Sequence, residues 1–258
     1  MILTISARGC DHSMILQEKK KTRKGGRSAR RAARINAPIV HHPALISKIP
    51  IYEVANQEGV DQIHELAMRI VEKIGVEFRD AESLEIWGQT DAEIRGECVR
   101  VDRKTLLNLV AKTPSEFVHH GRNPERTVSV GRNSMVISPS YGPPFIYDMN
   151  GVRRPATMED LNNLQKLNHM ASSVHIAGGP VVEPMDVVVP HRHLHMTYSA
   201  FKYSDKPIIG NVNSRERAED TIEMCKIMFG DEFATNNCCT TSLLNSNSPL
   251  VWDSIMLD

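Results

Sequence analysis

With 258 residues and 41% apolar side chains, the chain has the material for one sizeable core with a smaller subdomain beside it. Lys plus Arg and Asp plus Glu both total 31, which excludes a global charge excess toward nucleic acid or an acidic membrane; any such attraction has to be local. No apolar run approaches the roughly 20 residues of a membrane span and the start lacks a basic stretch followed by an apolar one, so no membrane association and a cytoplasmic location are expected.

Residues 19–34 hold nine Lys or Arg and no acid, around Gly25 and Gly26. They are expected to form a mobile arm, which reads either as a contact for RNA or an acidic partner or as a solvated basic tail. Pro38, Pro43 and Pro50 keep the following linker extended, so 1–50 is one segment of arm and linker. From Asn56 onward, Val60, Ile63, Ala67, Ile70, Val71 and Ile74 recur at helical spacing. That spacing predicts a helix capped by Asn56, stopped by Gly75 and packed through this stripe. A second helix is expected over 81–90, a β-like piece over 97–101, and then a helix capped by Asp102 that carries Leu106, Leu107, Leu109 and Val110. Strand-like pieces at 116–120, 127–130, 134–138 and 145–148, with a tight turn at Met149, Asn150 and Gly151, make a small antiparallel layer. Residues 51–156 thus read as a helical and antiparallel β subdomain.

After Thr157 the pattern alternates between helix and strand. A helix opened by Thr157, Glu159 and Asp160 leads to an apolar strand at 174–177. A helix over 191–203 leads to a strand at 207–210, and a helix over 216–229 to a strand at 239–244. Gly178, Gly210 and Ser242 are spaced 32 residues apart, a length that suits one parallel strand and its crossover helix. The expected fold class is therefore α/β: a partial TIM-type (β/α) barrel over 157–258, preceded by the helical and antiparallel layer. An eight-unit barrel takes about 250 residues, and only 85 run from Val174 to Asp258. The chain is expected to stop inside a third helix at 252–258, before a barrel could close. A compact α/β domain with an open three-stranded sheet is the alternative.

Several stretches, in order, resemble the trimethylamine methyltransferase family: GGRSARRAAR (25–34), KIGVEF (73–78), VHHGRNP (118–124), IYDMNGVRRPATMEDL (146–161), and the strand ends HIAGGP, KPIIGNV and TSLLNSNSPL. Their collinear order carries the resemblance, which covers about 25–258. It implies transfer of a methyl group from a methylated amine to the cobalt of a corrinoid held by a separate partner protein, with no cofactor bound by this chain itself. Some members act on trimethylamine and use a genetically encoded pyrrolysine, at a position that would fall beyond Asp258; others lack it and include glycine betaine methyltransferases. A full-length form is expected to be a homo-oligomer, and this chain alone to be inactive.

The implied reaction is an in-line displacement at a methyl carbon with a neutral amine leaving, so the protein chiefly positions the donor and excludes water. Aromatic faces hold methylammonium groups well. Tyr141, Phe145 and Tyr147 cluster in a chain with 5% aromatics and read either as a substrate-pocket wall or as a plug at the barrel's end. Asp148 is the candidate catalytic carboxylate, able to attract the cation; its other reading is a turn former before Asn150 and Gly151. Barrel sites lie at the C-terminal ends of strands. Glu183, Asn211, Asn213 and Asn245 there are expected to bind substrate, and Gly178, Gly179 and Ser246 to face the corrinoid. His191 and His195 share a helix face without an evident third ligand, so no metal is assigned. The five cysteines, Cys10, Cys98, Cys225, Cys238 and Cys239, include no CxxC pair and read as reduced thiols. Two other classes compete with the methyltransferase: a nucleic-acid or protein binding module using the basic arm, and a metal-dependent barrel enzyme.

Overall fold

Alanine and arginine are both strong helix formers, and in RSARRAARI they give a helix, α1 (Arg27–Ile35), where the charge run predicts a mobile arm. The computed structural model describes residues 26–37, 40–50 and 52–257; Cys10 and the first half of the basic run lie outside them. No residue of α1 is buried, and it belongs to a unit (Met1–Ile39) distinct from the remainder (Val40–Asp258).

In the second unit the expected linker contains a short strand, β1 (Leu45–Ile46). Asn56 accepts the Gly59 N–H at 2.9 Å and so starts α2 (Gln57–Arg69), which runs into a π turn (Ile70–Ile74) ended by Gly75. Glycine is required there, because φ is 90° and a Cβ would sit 2.8 Å from the Val99 carbonyl oxygen. The stripe predicted to be buried is not: Val60, Ile63, Ala67, Ile70 and Ile74 are exposed, and the buried residue of α2 is Met68. Periodicity correctly marks the helix, but no described element covers that face.

The chain continues through β2 (Val76–Phe78), α3 (Ala81–Gly88), β3 (Glu93–Arg95), β4 (Cys98–Arg100) and α4 (Arg103–Val110). Asp80 and Asp102 cap the two helices by accepting the Ser83 and Thr105 N–H groups at 2.7 and 3.0 Å. Then come β5 (Glu116–His119), β6 (Val128–Gly131), β7 (Ser134–Met135) and the hairpin β8 (Phe145–Tyr147) with β9 (Arg153–Pro155). The alternating part comprises α5 (Met158–Met170), α6 (Val189–Tyr203), β10 (Ile208–Ile209), α7 (Arg215–Phe229), α8 (Asp231–Asn236) and β11 (Thr240–Thr241), followed by β12 (Val251–Trp252) and the one-turn α9 (Ser254–Leu257).

The antiparallel layer forms as a sheet in the order β1-β7-β6-β5. A second sheet has the order β12-β2-β4-β3, in which β12 runs parallel to β2. The expectation of a helix from Trp252 is thereby corrected. Val251 and Trp252, both good strand formers, pair with Glu77 and Phe78 on the otherwise open edge of β2.

β10 and β11 are parallel, with Ile208 opposite Thr240, so the 32-residue step is a register step. Residues 174–177 extend the set on the other side: the Ala177 N–H donates to the Pro207 carbonyl at 2.9 Å. A Cβ on Gly179 would fall 1.8 Å from the Ile209 oxygen. Since 177 lies beside 207 and 179 beside 209, all three segments run the same way. Helices cover them. Ala177, Ile208, Cys239, Ala200, Phe201 and Cys225 form one core cluster, and Leu161, Met196, Val181, Val182 and Ala156 another. The whole is mixed α/β, with no closed barrel among the described residues and no described helix long and apolar enough to cross a membrane.

The HGRNP stretch works at the entrance to these strands. The His120 N–H donates to the Cys238 carbonyl at 2.8 Å, and Asn123 reaches Asp205 through both its backbone N–H (3.1 Å) and its side-chain amide (3.3 Å). Gly121 lets the backbone close in, since a Cβ would lie 3.0 Å from the Asp205 oxygen. Gly179→Ala is expected to lose ~3 kcal/mol or more, because its clash is with backbone. Gly88→Ala, whose Cβ meets only the Ile94 side chain at 4.0 Å, is expected to leave the melting temperature unchanged or slightly raised; thermal unfolding of the two variants checks this.

Candidate functional site

Three parallel segments ending in Gly178-Gly179, Gly210 and Ser242 bring their C-terminal tips to one level. The level is fixed by backbone: the Gly210 N–H donates to the Thr241 carbonyl at 2.7 Å, and a Cβ on Gly210 would point at Ser242 Oγ, 3.0 Å away. Gly178 has φ of 74°. Beneath the first tip, the wholly buried Gln165 of α5 donates from Nε2 to the Gly178 and Gly179 carbonyls at 2.9 and 3.0 Å, while its Oε1 is buried without a partner. The amide thus satisfies two carbonyls that the strand ladder leaves open.

The loop before β8 is laid over these tips. The Gly142 N–H donates to the Pro180 carbonyl (2.6 Å) and the Glu183 N–H to that of Pro143 (3.0 Å). Tyr141 is drawn across so that its hydroxyl donates to the Gly210 carbonyl at 3.3 Å. Burial, and then the Glu183 charge, raise the Tyr141 pKa, so the phenol keeps its proton. Glu183 in turn takes Arg192 Nη1 at 3.3 Å, and Arg192 is tied back to the Val187 carbonyl through Nε and Nη2 (3.2 and 3.0 Å). Asn211, just past β10, points Nδ2 at Met196 Sδ (3.3 Å). Of the residues singled out from the sequence, Tyr141, Gly178, Gly179, Glu183 and Asn211 therefore adjoin one another.

The others stand apart. Phe145 and Tyr147 share one face of β8, opposite the core residue Ile146. The Arg153 guanidinium stacks over the Phe145 ring, 3.8 Å from its centroid, and so occupies the face a methylammonium would need; Tyr147 is 72% exposed. Asp148 accepts the Asn150 and Val152 N–H groups at 2.8 and 2.9 Å. These bonds, the Val152 one foremost, hold its carboxyl below the usual range. Its geometry is that of the hairpin turn. Asn213 is half-buried, and Asn245 and Ser246 are exposed beyond β11.

The RRPATMEDL stretch locks the hairpin to α5. Arg154 makes a two-pronged contact with Asp160 (2.6 and 2.8 Å), and Thr157 and Asp160 cap each other reciprocally. Sequence reading marked Thr157 as a helix start but missed Arg154, Gln165 and Arg192 as positioning groups. Arg192 lies inside HRHLH, where the histidines draw the eye. Of those, His193 is buried and bonds Asp220 at 2.7 Å between α6 and α7. Among the described residues no group of three His, Cys, Asp or Glu could hold a metal ion.

Residues 23–258 match the family described as Trimethylamine methyltransferase (MTTB). A glycine betaine methyltransferase of Desulfitobacterium hafniense (strain Y51) is 38% identical over 210 residues, 81% of this chain and 44% of that protein. An L-carnitine:corrinoid methyltransferase of Eubacterium limosum is 27% identical over 154 residues (59% and 31%). A proline betaine:corrinoid methyltransferase of the same organism is 24% identical over 212 residues (76% and 43%). The chain thus spans less than half the length of each of these relatives.

The Arg154 guanidinium, ahead of the Thr157 hydrogen bonds and against the opposing cost of burial, holds the Asp160 carboxyl well below the usual carboxylate range. A depressed folded-state value means stability that is fully present above the unfolded value of about 3.9 and is lost as pH falls below it. Asp160→Asn is expected to cost ~1–2 kcal/mol at neutral pH. The gap to the parent should narrow as pH drops below about 4, which melting temperatures recorded across the acid range will reveal.

Proposed function

Because the chain belongs to the trimethylamine methyltransferase family, we propose that it forms the opening part of a (β/α) barrel in an enzyme that moves a methyl group from a quaternary amine to the cobalt of a corrinoid protein. The donor sits at the tips of the three parallel segments, beneath Tyr141. One observation carries this reading: an aromatic ring pinned by its hydroxyl to the Gly210 carbonyl beside the Glu183 carboxylate, above glycine-lined strand ends.

The chemistry asked of these residues is modest. The corrinoid, when present on its partner protein, supplies the nucleophile, and the departing amine of a quaternary donor is neutral and needs no proton. Tyr141 offers a ring face to the methylammonium group. Glu183 supplies negative charge nearby, but its ion pair with Arg192 moderates it. That moderation suits the reaction, because the cationic charge disappears in the transition state and tight ground-state binding would gain no rate. Asn211 orients the polar end of the donor. Residues 242–247 are all exposed, Leu243 and Leu244 among them. An open rim with apolar side chains fits the approach of a macrocycle held by another protein, and Gly178 and Gly179 leave room for it. The names of the relatives, all acting on betaines or carnitine, support a quaternary donor over trimethylamine. Phe145 and Asp148 are assigned no part in the pocket, because Arg153 and the hairpin turn already engage them.

Titration of the chain with glycine betaine, followed by calorimetry, tests the assignment. Tyr141→Ala is expected to weaken binding about fivefold, the equivalent of ~1 kcal/mol of cation–π attraction. Tyr141→Phe should keep most of it and Phe145→Leu should change nothing. Equal affinity in the parent and Tyr141→Ala would remove Tyr141 from the site.

A further inference from the structure

A second cavity, of about 350 Å³, lies at the opposite, N-terminal end of the parallel segments, between them and the antiparallel sheet. His41, His42, Arg126, His175 and Lys206 line it, with Glu125 as the one acid among the lining residues. The bonding of these groups is incomplete in one direction. The Ile137 backbone N–H donates to His175 Nδ1 at 2.9 Å, and an N–H can only donate, so Nδ1 is unprotonated and the neutral ring carries its proton on Nε2. That Nε2–H is buried in a side chain only 6% exposed and meets no acceptor among the described residues. Arg126 Nη1 is likewise buried with no partner. Lys206, 3% exposed, spends two of its three protons on the Asn168 and Ala171 carbonyls at 2.6 and 2.8 Å, where it closes the C-terminus of α5. Among the described residues no further acceptor takes its third proton.

The neighbourhood is cationic as well as donor-rich. His41 is pushed down to about 4, by burial first and then by Arg126 and Lys206, and Lys206 itself is pushed down to about 8 by burial and Arg126. The nearby Asp205 carboxylate partly offsets this, acting to raise both values; its Oδ2 takes the Asn123 amide at 3.3 Å and its Oδ1 lies 3.4 Å from His169. Buried donors without acceptors are costly, and native structures normally satisfy them with an ion or ordered water.

We propose that this cavity binds a small oxyanion, with the His175 Nε2–H and the Arg126 guanidinium as its hydrogen-bond donors and Lys206 as a supporting charge. The site is separate from the donor pocket beneath Tyr141 and does not depend on how that pocket is used.

The test is titration of the chain with inorganic phosphate at constant ionic strength, followed by calorimetry and by the histidine side-chain nitrogen resonances, with acetate and chloride as parallel arms. A saturable phosphate response that moves His175 is expected, with none from chloride. A response to phosphate alone marks the ion as a phosphate, and an equal or stronger response to acetate marks it as a carboxylate. Arg126→Met should weaken binding about tenfold, as loss of a charge-assisted hydrogen bond does. His175→Asn should do the same while keeping the structure intact, because the asparagine oxygen still accepts the Ile137 N–H but the Nε2–H is gone. Arg95→Met, an exposed arginine paired with Glu93, should bind as the parent does. A phosphate response matched by chloride, or full affinity in His175→Asn, would overturn the proposal.

Discussion

A close approach of two backbone segments governs much of the rest. Gly179 leaves no room for even a methyl group against the Ile209 carbonyl, and at Gly210 an added Cβ would come within 3.0 Å of the Ser242 hydroxyl on the next strand. With the spacing set there, the carbonyls of 178 and 179 are met by the buried Gln165 amide from α5, that of 179 also by the Val181 N–H. The helix that carries Gln165 is itself held at its first turn by Thr157, Asp160 and Arg154. A chain of polar contacts thus runs from the hairpin through α5 to the strand tips, where the Tyr141 hydroxyl joins it.

Much of this frame is legible in the sequence. The 32-residue recurrence is a true register between Gly210 and Ser242, while the first segment lies at an offset of 30, and Asn56, Asp102 and Thr157 cap the helices they were expected to cap. These signals are local, and local chemistry decides them. What the sequence hides is non-local. The two-residue strand at Val251 leaves no period to detect, and its partner lies far up the chain. Helix α8, six residues long, follows Gly230 with too few apolar positions to show a stripe. The opposite error occurred at α2, where a clear apolar stripe foretells packing that no described element provides.

The candidate pocket shows the same division. Glu183 and the tip glycines were expected from the rule that barrel sites gather where strands end, and Tyr141 from its place in an aromatic cluster. The same cluster pointed to Phe145 and Tyr147, and the hairpin position to Asp148; there the structure has a guanidinium over one ring, solvent around the second, and two backbone amides on the carboxylate. Arg192 and Gln165 carry no signature in one dimension, because their importance is a matter of what they hold in place.

The pairing of β12 with β2 reaches across 174 positions, from Glu77 to Val251. Closing so long a loop costs only a few kcal/mol more than closing a short one, but it has to wait for both ends. As the polypeptide leaves the ribosome, the β2-β4-β3 sheet therefore keeps one flank unzipped until Val251 and Trp252 have been made. During that interval the unpaired edge of β2 and the bare apolar side of α2 are exposed in one continuous stretch of chain, the stretch a nascent-chain chaperone would most usefully shield.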